Sequence, residues 1–251
     1  MNQDEIILAR LSDLASRSYQ KNIYTYSDFL SLADVSLFLE NEKDYLYAAP
    51  YVYGGMEDAE RCMIRFGDET VLGYTEEFPI CLLRISPLMH KFADDLSHRD
   101  FLGALMHLGI EREVLGDMQV SDKEAFLFCK ESMSEYICEN LNKVKHTSVR
   151  VEEVSELPDS LIRREEEVLV QLPSERIDAI IAKLYHVSRD ESIVLFREKK
   201  VFRNGRLIEN NSAIVKTDDV ISVRGYGKFC YKGVAGISKK GKLNATVLKY
   251  V

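Results

Sequence analysis

The chain has 251 residues, 33 Lys+Arg against 41 Asp+Glu, 46% apolar residues, 5 Cys and no Trp. This composition excludes disordered and fibrous proteins and suffices for one to three domains that each bury a core. No stretch reaches the roughly 18 apolar residues of a membrane helix, the acidic start Met1-Asn-Gln-Asp-Glu5 is not a signal peptide, and the scattered Cys62, Cys81, Cys129, Cys138 and Cys230 never form C-x-x-C, so a reduced, cytoplasmic protein is expected.

Apolar residues recur at helical spacing over 6–20 and again over 26–40, where Ser27 is a candidate N-cap. Residues 56–65, after Gly54-Gly55, read as a third, short helix, so 1–77 is expected to be a helical N-terminal region. The pattern then changes. Strand 78–86, helix 99–109, strands 114–120 and 125–131, helix 132–144 and strand 146–154 follow in the order β-α-β-β-α-β. That is the order of an RRM-like sandwich, assigned to 78–155. Pro158, Pro173 and the charge run Arg163-Arg-Glu-Glu-Glu167 place a linker at 156–173.

Charge divides at that point. Residues 174–251 carry 16 Lys+Arg against 8 Asp+Glu, while 1–173 carry 17 against 33. A basic tail on an acidic body fits a phosphate polymer held at one end; a solvated lysine-rich surface is the plainer alternative. In the tail, Ser174 is a candidate helix cap with Glu175 and Asp178 in the first turn, and Ile177, Ile181 and Leu184 share one face. Ser188-Arg-Asp-Glu191 is a capping box opening a second helix, on which Ile193 and Phe196 point inward. Arg189, Arg197 and Lys200 lie within about 80° of one another around it. Asn204-Gly205 between short apolar runs predicts a type I′ hairpin presenting Arg203, Asn204 and Arg206. A strand at 220–224 follows. Arg176, Arg189, Arg197, Lys199, Lys200, Arg203 and Arg206 are thereby expected to converge. Such a cluster repels itself unless an anion sits over it, and the arginine fork fits phosphate oxygens.

Arg176-Ile-Asp178, Ser188-Arg189, Asn204-Gly205 and Asp219-Val-Ile-Ser-Val-Arg-Gly225 make 174–251 resemble an S4-type (αL) RNA-binding domain. Upstream, Gly54-Gly55 with Ala59-Glu60-Arg61, then Phe101-Leu-Gly-Ala-Leu-Met106, Leu108-Gly-Ile110 and Leu115-Gly-Asp117 resemble the YlmH family. That family joins a helical N-terminal region, an RRM-like domain and a C-terminal S4-type domain, an α+β architecture. It usually has Gly where Lys199 stands and an apolar residue where Arg203 stands; both departures add positive charge, and Lys199 puts the local turn in question.

The resemblance implies a bacterial, non-enzymatic RNA-binding factor of ribosome-associated quality control. It would bind large-subunit rRNA and peptidyl-tRNA and help C-terminal tailing of the stalled peptide. It implies RNA-phosphate contact at Arg176, Ser188, Arg189, Arg197, Arg203 and Arg206; Lys199, Lys200, Asn204, Arg224 and Lys228 complete the candidate set. An association with cell division also attaches to the family.

No P-loop, G-x-G-x-x-G, G-x-S-x-G or H-E-x-x-H occurs, and the five histidines pair with neither cysteines nor each other at ligand spacing. No cofactor, metal, DNA or membrane contact is expected. Phe126 and Phe128, two apart on one strand, are either sheet-face RNA platforms or core. Core is the reading preferred; the acidic surroundings argue against strong RNA binding there, and a protein-contact or positioning role is expected for the central domain. Asp117 after Gly116 keeps open an alternative, a pseudouridine synthase-like enzyme that captures RNA with its C-terminal domain. A further alternative is an adaptor docking a division or translation partner through the acidic body.

Overall fold

The computed structural model describes residues 2–57, 59–161, 165–238 and 240–250. The chain forms two compact units, Met1–Ile162 and Arg163–Val251.

The first unit opens with α1 (Gln3–Lys21), started by a capping box between Asn2 and Glu5 and ended by Asn22 at φ 51°. Strand β1 (Thr25–Tyr26), helix α2 (Leu32–Glu40), a 3-10 stretch at Glu42–Ala48, strands β2 (Tyr51–Tyr53) and β3 (Met63–Phe66) and one-turn α3 (Glu69–Leu72) follow. The strands form an antiparallel sheet in the order β1-β3-β2. Leu11, Ala15, Phe38, Tyr45, Ile64 and Phe66 make its core. Two expectations change here. The helix expected over 26–40 begins only at Leu32, capped by Ser31; the Ser27 hydroxyl instead accepts from Ile64 N at 2.8 Å. The helix expected at 56–65 is absent among the described residues: 63–66 pair as the central strand, with partners near 25 and 52.

The β-α-β-β-α-β order is borne out by β4 (Ile80–Pro87), α4 (His98–His107), β5 (Leu115–Ser121), β6 (Glu124–Lys130), α5 (Glu131–Asn140), β7 (Lys143–Val144) and β8 (Thr147–Val154), where β7 is an added edge. The antiparallel order β5-β6-β4-β8-β7 places the first and third major strands side by side in the centre, as in RRM-like folds. Leu83, Ile85, Leu127 and Val151 on one face pack with Phe101, Leu105 and Ile137 of the helices. The opposite face is also closed. Leu82, Phe126 and Phe128 are buried there beneath Met56, Leu157 and Leu161. Gly55 (φ 96°) lies so close to the Phe128 ring that a Cβ would fall 2.4 Å from it.

The second unit holds β9 (Glu165–Leu172), α6 (Ile177–Leu184), α7 (Arg189–Arg197), β10 (Val201–Arg203), β11 (Arg206–Leu207), β12 (Val220–Val223), β13 (Gly227–Ile237) and β14 (Leu243–Tyr250). Its antiparallel sheet runs β11-β10-β12-β13-β14-β9, and Ile177, Ile180, Ile181, Leu195 and Phe196 of the helices pack on Val201, Ile221, Val223, Phe229 and Val247. The α+β class is thus the one observed. The linker expected at 156–173 is corrected, because 165–172 is a strand paired along its length with β14. Val170 and Leu172 are buried while Leu169 and Gln171 face out, an alternation obscured by the exposed Glu165, Glu166 and Glu167. Arg163 and Arg164 of the charge run lie outside the described residues.

Candidate RNA-binding surface

Helix α6 does not start at a Ser174 cap. Arg176 occupies the N-cap position, and the first helical N–H groups, of Ile177 and Asp178, donate to Ala213 O and Asn211 O. Backbone from a later loop therefore satisfies donors that a side-chain cap usually takes. Glu175 accepts from Tyr231 Oη at 2.7 Å instead of standing in the first turn.

Asp178 is the centre of the surface. Its side chain is fully buried, on a helix whose Ile177, Ala179, Ile180 and Ile181 are buried as well. Arg176 donates to it twice, from Nε at 3.0 Å and Nη2 at 2.8 Å. Asn211 Nδ2 donates at 3.3 Å, and Arg189 Nε stands 3.7 Å away. Burial pushes the Asp178 carboxyl up, but the Arg176 hydrogen bonds and the charges of Arg176 and Arg189 outweigh it and hold the group below its ordinary value. One carboxylate thus fixes two guanidiniums, whose side chains remain 31% and 57% exposed. Arg189 is set by its helix start as well, since Ser188 Oγ accepts from Glu191 N at 3.2 Å and Glu191 Oε2 accepts from Ser188 N at 2.7 Å.

The hairpin adds a second anchored element. Asn204 (φ 50°) and Gly205 (φ 76°) adopt the left-handed conformations a type I′ turn requires. Asn204 Nδ2 donates to Asp219 Oδ1 at 2.8 Å, while Val220 N donates to Asn204 Oδ1 at 2.8 Å. Asn204 is thereby a strut of the turn. Arg203 Nη1 donates to Ile214 O at 3.3 Å and lies 3.9 Å from the buried Asp219, and Ile214 bridges Arg176. Arg176, Arg189 and Arg203 are therefore brought together. Arg206 stands directly across the ladder from Arg203, which places a second guanidinium-bearing residue on the same hairpin.

The remaining candidates lie at the end of α7 and on the strands that follow it. Arg197 ends α7, eight residues and roughly 12 Å along the helix from Arg189. Lys199 (φ 55°) takes the left-handed conformation that glycine favours, with Nζ 3.5 Å from Glu209, so the turn survives the missing glycine. Lys200 pairs with Glu198 at 2.8 Å, and its carbonyl accepts from Arg224 N at 2.9 Å. The Arg224 guanidinium lies 4.6 Å from the Phe202 ring centroid, a cation–π contact that holds it exposed. Lys228 is half-buried at the start of β13. The candidate side chains thus extend from the start of α7, at Arg189, to its end at Arg197 and onto the paired strands β10 and β12. The sequence signal for the role of Asp178 is its lone carboxylate inside Ile177-Asp-Ala-Ile-Ile181, which marks a buried acid in need of a cation.

Asp117, the candidate of the enzyme alternative, lies in the first unit. Its carboxylate accepts from Glu60 N at 2.7 Å and Arg61 N at 3.2 Å. Burial pushes the neighbouring Cys62 thiol up to about 12, the opposite of an activated nucleophile. Among the described residues no group of three or more His, Cys, Asp or Glu is placed to hold a metal, and no helix is long and apolar enough to cross a membrane.

Residues 74–157 match the family model described as "Putative RNA-binding domain in YlmH", bearing out the YlmH resemblance. The match attaches an RNA-binding description to the central domain, for which the sequence favoured a protein-contact role. The chain is 26% identical over 200 residues to "Ribosome-associated protein quality control protein P2" of Bacillus subtilis (strain 168), covering 77% of this chain and 75% of that protein. A solved structure of "Cell division protein ylmH from Streptococcus pneumoniae" superposes with a TM-score of 0.49 at 20% identity, over 62% of this chain and 93% of the other.

Proposed function

We propose that this protein is a non-enzymatic RNA-binding factor that acts on the ribosome in the cytoplasm. It binds large-subunit rRNA and peptidyl-tRNA in ribosome-associated quality control. The observation that carries the reading is the anchored arginine set: Arg176 and Arg189 fixed by the buried Asp178, and Arg203 beside Asp219 and opposite Arg206. Guanidiniums held in place lose little freedom when phosphate oxygens dock, so their forks are pre-organised for a polyanion. The segment that carries them has 16 Lys+Arg against 8 Asp+Glu, which steers RNA toward it and away from the acidic remainder. The name of the Bacillus subtilis relative supports the ribosomal setting, and the YlmH domain match supports RNA as the ligand.

The work is binding and positioning. Arg176, Arg189, Arg203 and Arg206 take phosphates, and Arg224 on Phe202 and Lys200 extend the track. Sedimentation of lysate through a sucrose gradient at low and high salt tests this. Co-migration with large subunits, stripped by salt, is expected. A protein that stays at the top of the gradient at low salt would overturn the ribosomal reading and send the search to free RNA and RNA modification.

A further inference from the structure

RRM-like folds stack single-stranded bases on aromatic residues of the open sheet face. Here that face is shut. Phe126 and Phe128 are buried under Met56, Leu157 and Leu161, and Arg84 on the same face forks Glu124 at 2.9 Å through both Nε and Nη2. RNA held by this domain must sit elsewhere.

The segment leaving β4 offers another place. Leu88, Met89 and Phe92 are 63%, 64% and 73% exposed. They do not stand on a loose loop. Leu88 N donates to Ser148 O at 2.9 Å, His90–Phe92 is a 3-10 turn, and His90 Nε2 is 3.0 Å from Asp122 O. Lys123 Nζ donates to Ala93 O at 2.9 Å, and the Asp94 backbone N–H donates to Thr147 Oγ1 at 2.8 Å. The fold thus holds three large apolar side chains out in water, as binding surfaces do.

Charge selects the occupant. Residues 1–162 carry 15 Lys+Arg against 30 Asp+Glu. In the three segments that meet at this edge, 88–100, 121–124 and 143–152, the acidic excess disappears, at 6 against 6. The carboxylates among them are largely engaged. Asp100 is held near 2 by Ser97 and Lys145, Glu124 by Arg84, Asp94 by His146 N and Thr147, and Asp122 lies 3.4 Å from His90. Lys91 remains over the Phe92 ring, 5.9 Å from its centroid. Arg150 stands opposite Ser86 on the neighbouring strand, 3.5 Å from Glu152, with a side chain 63% exposed that an RNA phosphate can reach. An aromatic face beside cations is the arrangement that takes an unstacked base and its phosphates.

We infer that the Leu88–Phe92 turn is a second RNA contact, a base stacking on Phe92 while Lys91 and Arg150 hold adjacent phosphates. The inference rests on the RNA-binding reading above. It is tested on the full chain with a fluorescein-labelled single-stranded 20-nucleotide RNA of mixed sequence at fixed salt. Lys91→Ala with Phe92→Ala should weaken binding about 5- to 100-fold, with Phe92→Trp restoring most of it. Because both side chains are exposed, the thermal midpoint should not move. Ultraviolet crosslinking of the parent protein should place an adduct on the peptide containing Phe92. If the double variant binds like the parent while Arg189→Glu with Arg206→Glu abolishes binding, the turn is not an RNA contact and the anchored arginine set stands alone. If the parent binds no RNA, both readings fall.

Discussion

Two arginine–aspartate clusters in this molecule use the same groups in opposite ways. In the second unit, Asp178 is buried and holds Arg176 and Arg189 with their guanidiniums partly in solvent. In the first, Asp117 caps backbone N–H groups of Glu60 and Arg61, and the Arg61 side chain turns inward. Its Nε donates to Leu115 O at 2.7 Å, and its Nη2 to Phe29 O at 3.0 Å and Arg112 O at 2.8 Å. Burial lowers the proton affinity of Arg61, and nearby Arg112 adds to this; among the described residues Arg112 Nη1 is buried with no partner. One cluster therefore spends its arginine on carbonyls and ties the helical region to the central sheet. The other spends its aspartate on aiming arginines outward. An arginine is a phosphate reader only when its donors are left toward solvent, and that depends on which acceptors surround it.

The sharpest break of this comparison is Asp178→Ala. It removes the buried acceptor of two Arg176 hydrogen bonds and one from Asn211 and should cost about 3–4 kcal/mol in urea unfolding. The same carboxyl gives a pH signature. Its folded proton affinity is below the unfolded value, so its contribution is present above pH about 4 and lost as pH falls through the folded value. Asp178→Ala should flatten that acid limb. Next is Arg61→Ala, which leaves carbonyls without their donor and should cost about 3 kcal/mol with no effect on RNA affinity. Arg189→Ala is the converse: RNA binding about tenfold weaker and a salt slope shallower by about 0.7–0.9, with stability within about 0.5 kcal/mol. An equal loss of stability in both arginine variants would erase the distinction. Ser188→Ala removes the cap that fixes Arg189 and should cost about 1 kcal/mol by thermal melt. Smallest is Lys199→Gly, which relieves a left-handed backbone and should raise stability by about 0.5–1 kcal/mol.

Local signals explain what the sequence made legible. Asn204-Gly205 encodes its turn within two residues, Ser188 and Glu191 cap each other, and the alternating runs of the central domain follow one another in pairing order. The misreadings depend on distant partners. Met63-Ile-Arg-Phe66 is a strand because Thr25–Tyr26 and Tyr51–Tyr53 flank it. Glu165–Glu167 belong to a sheet because β14, some eighty residues later, lies beside them. Among the candidate contacts, the arginines were nameable but their grouping was not, since it depends on Asn211 and Ile214 reaching back to the start of α6.

The lid over Phe126 and Phe128 has a practical consequence for anyone who cuts the protein. A fragment trimmed to the family-matched stretch, 74–157, discards Met56 and Leu161, which cover those rings. It would present two phenylalanines and Leu82 to water on the face where related sheets grip bases. Such a fragment is prone to self-association, and any RNA it captured through those rings would be an artefact of the scissors rather than a property of the intact chain.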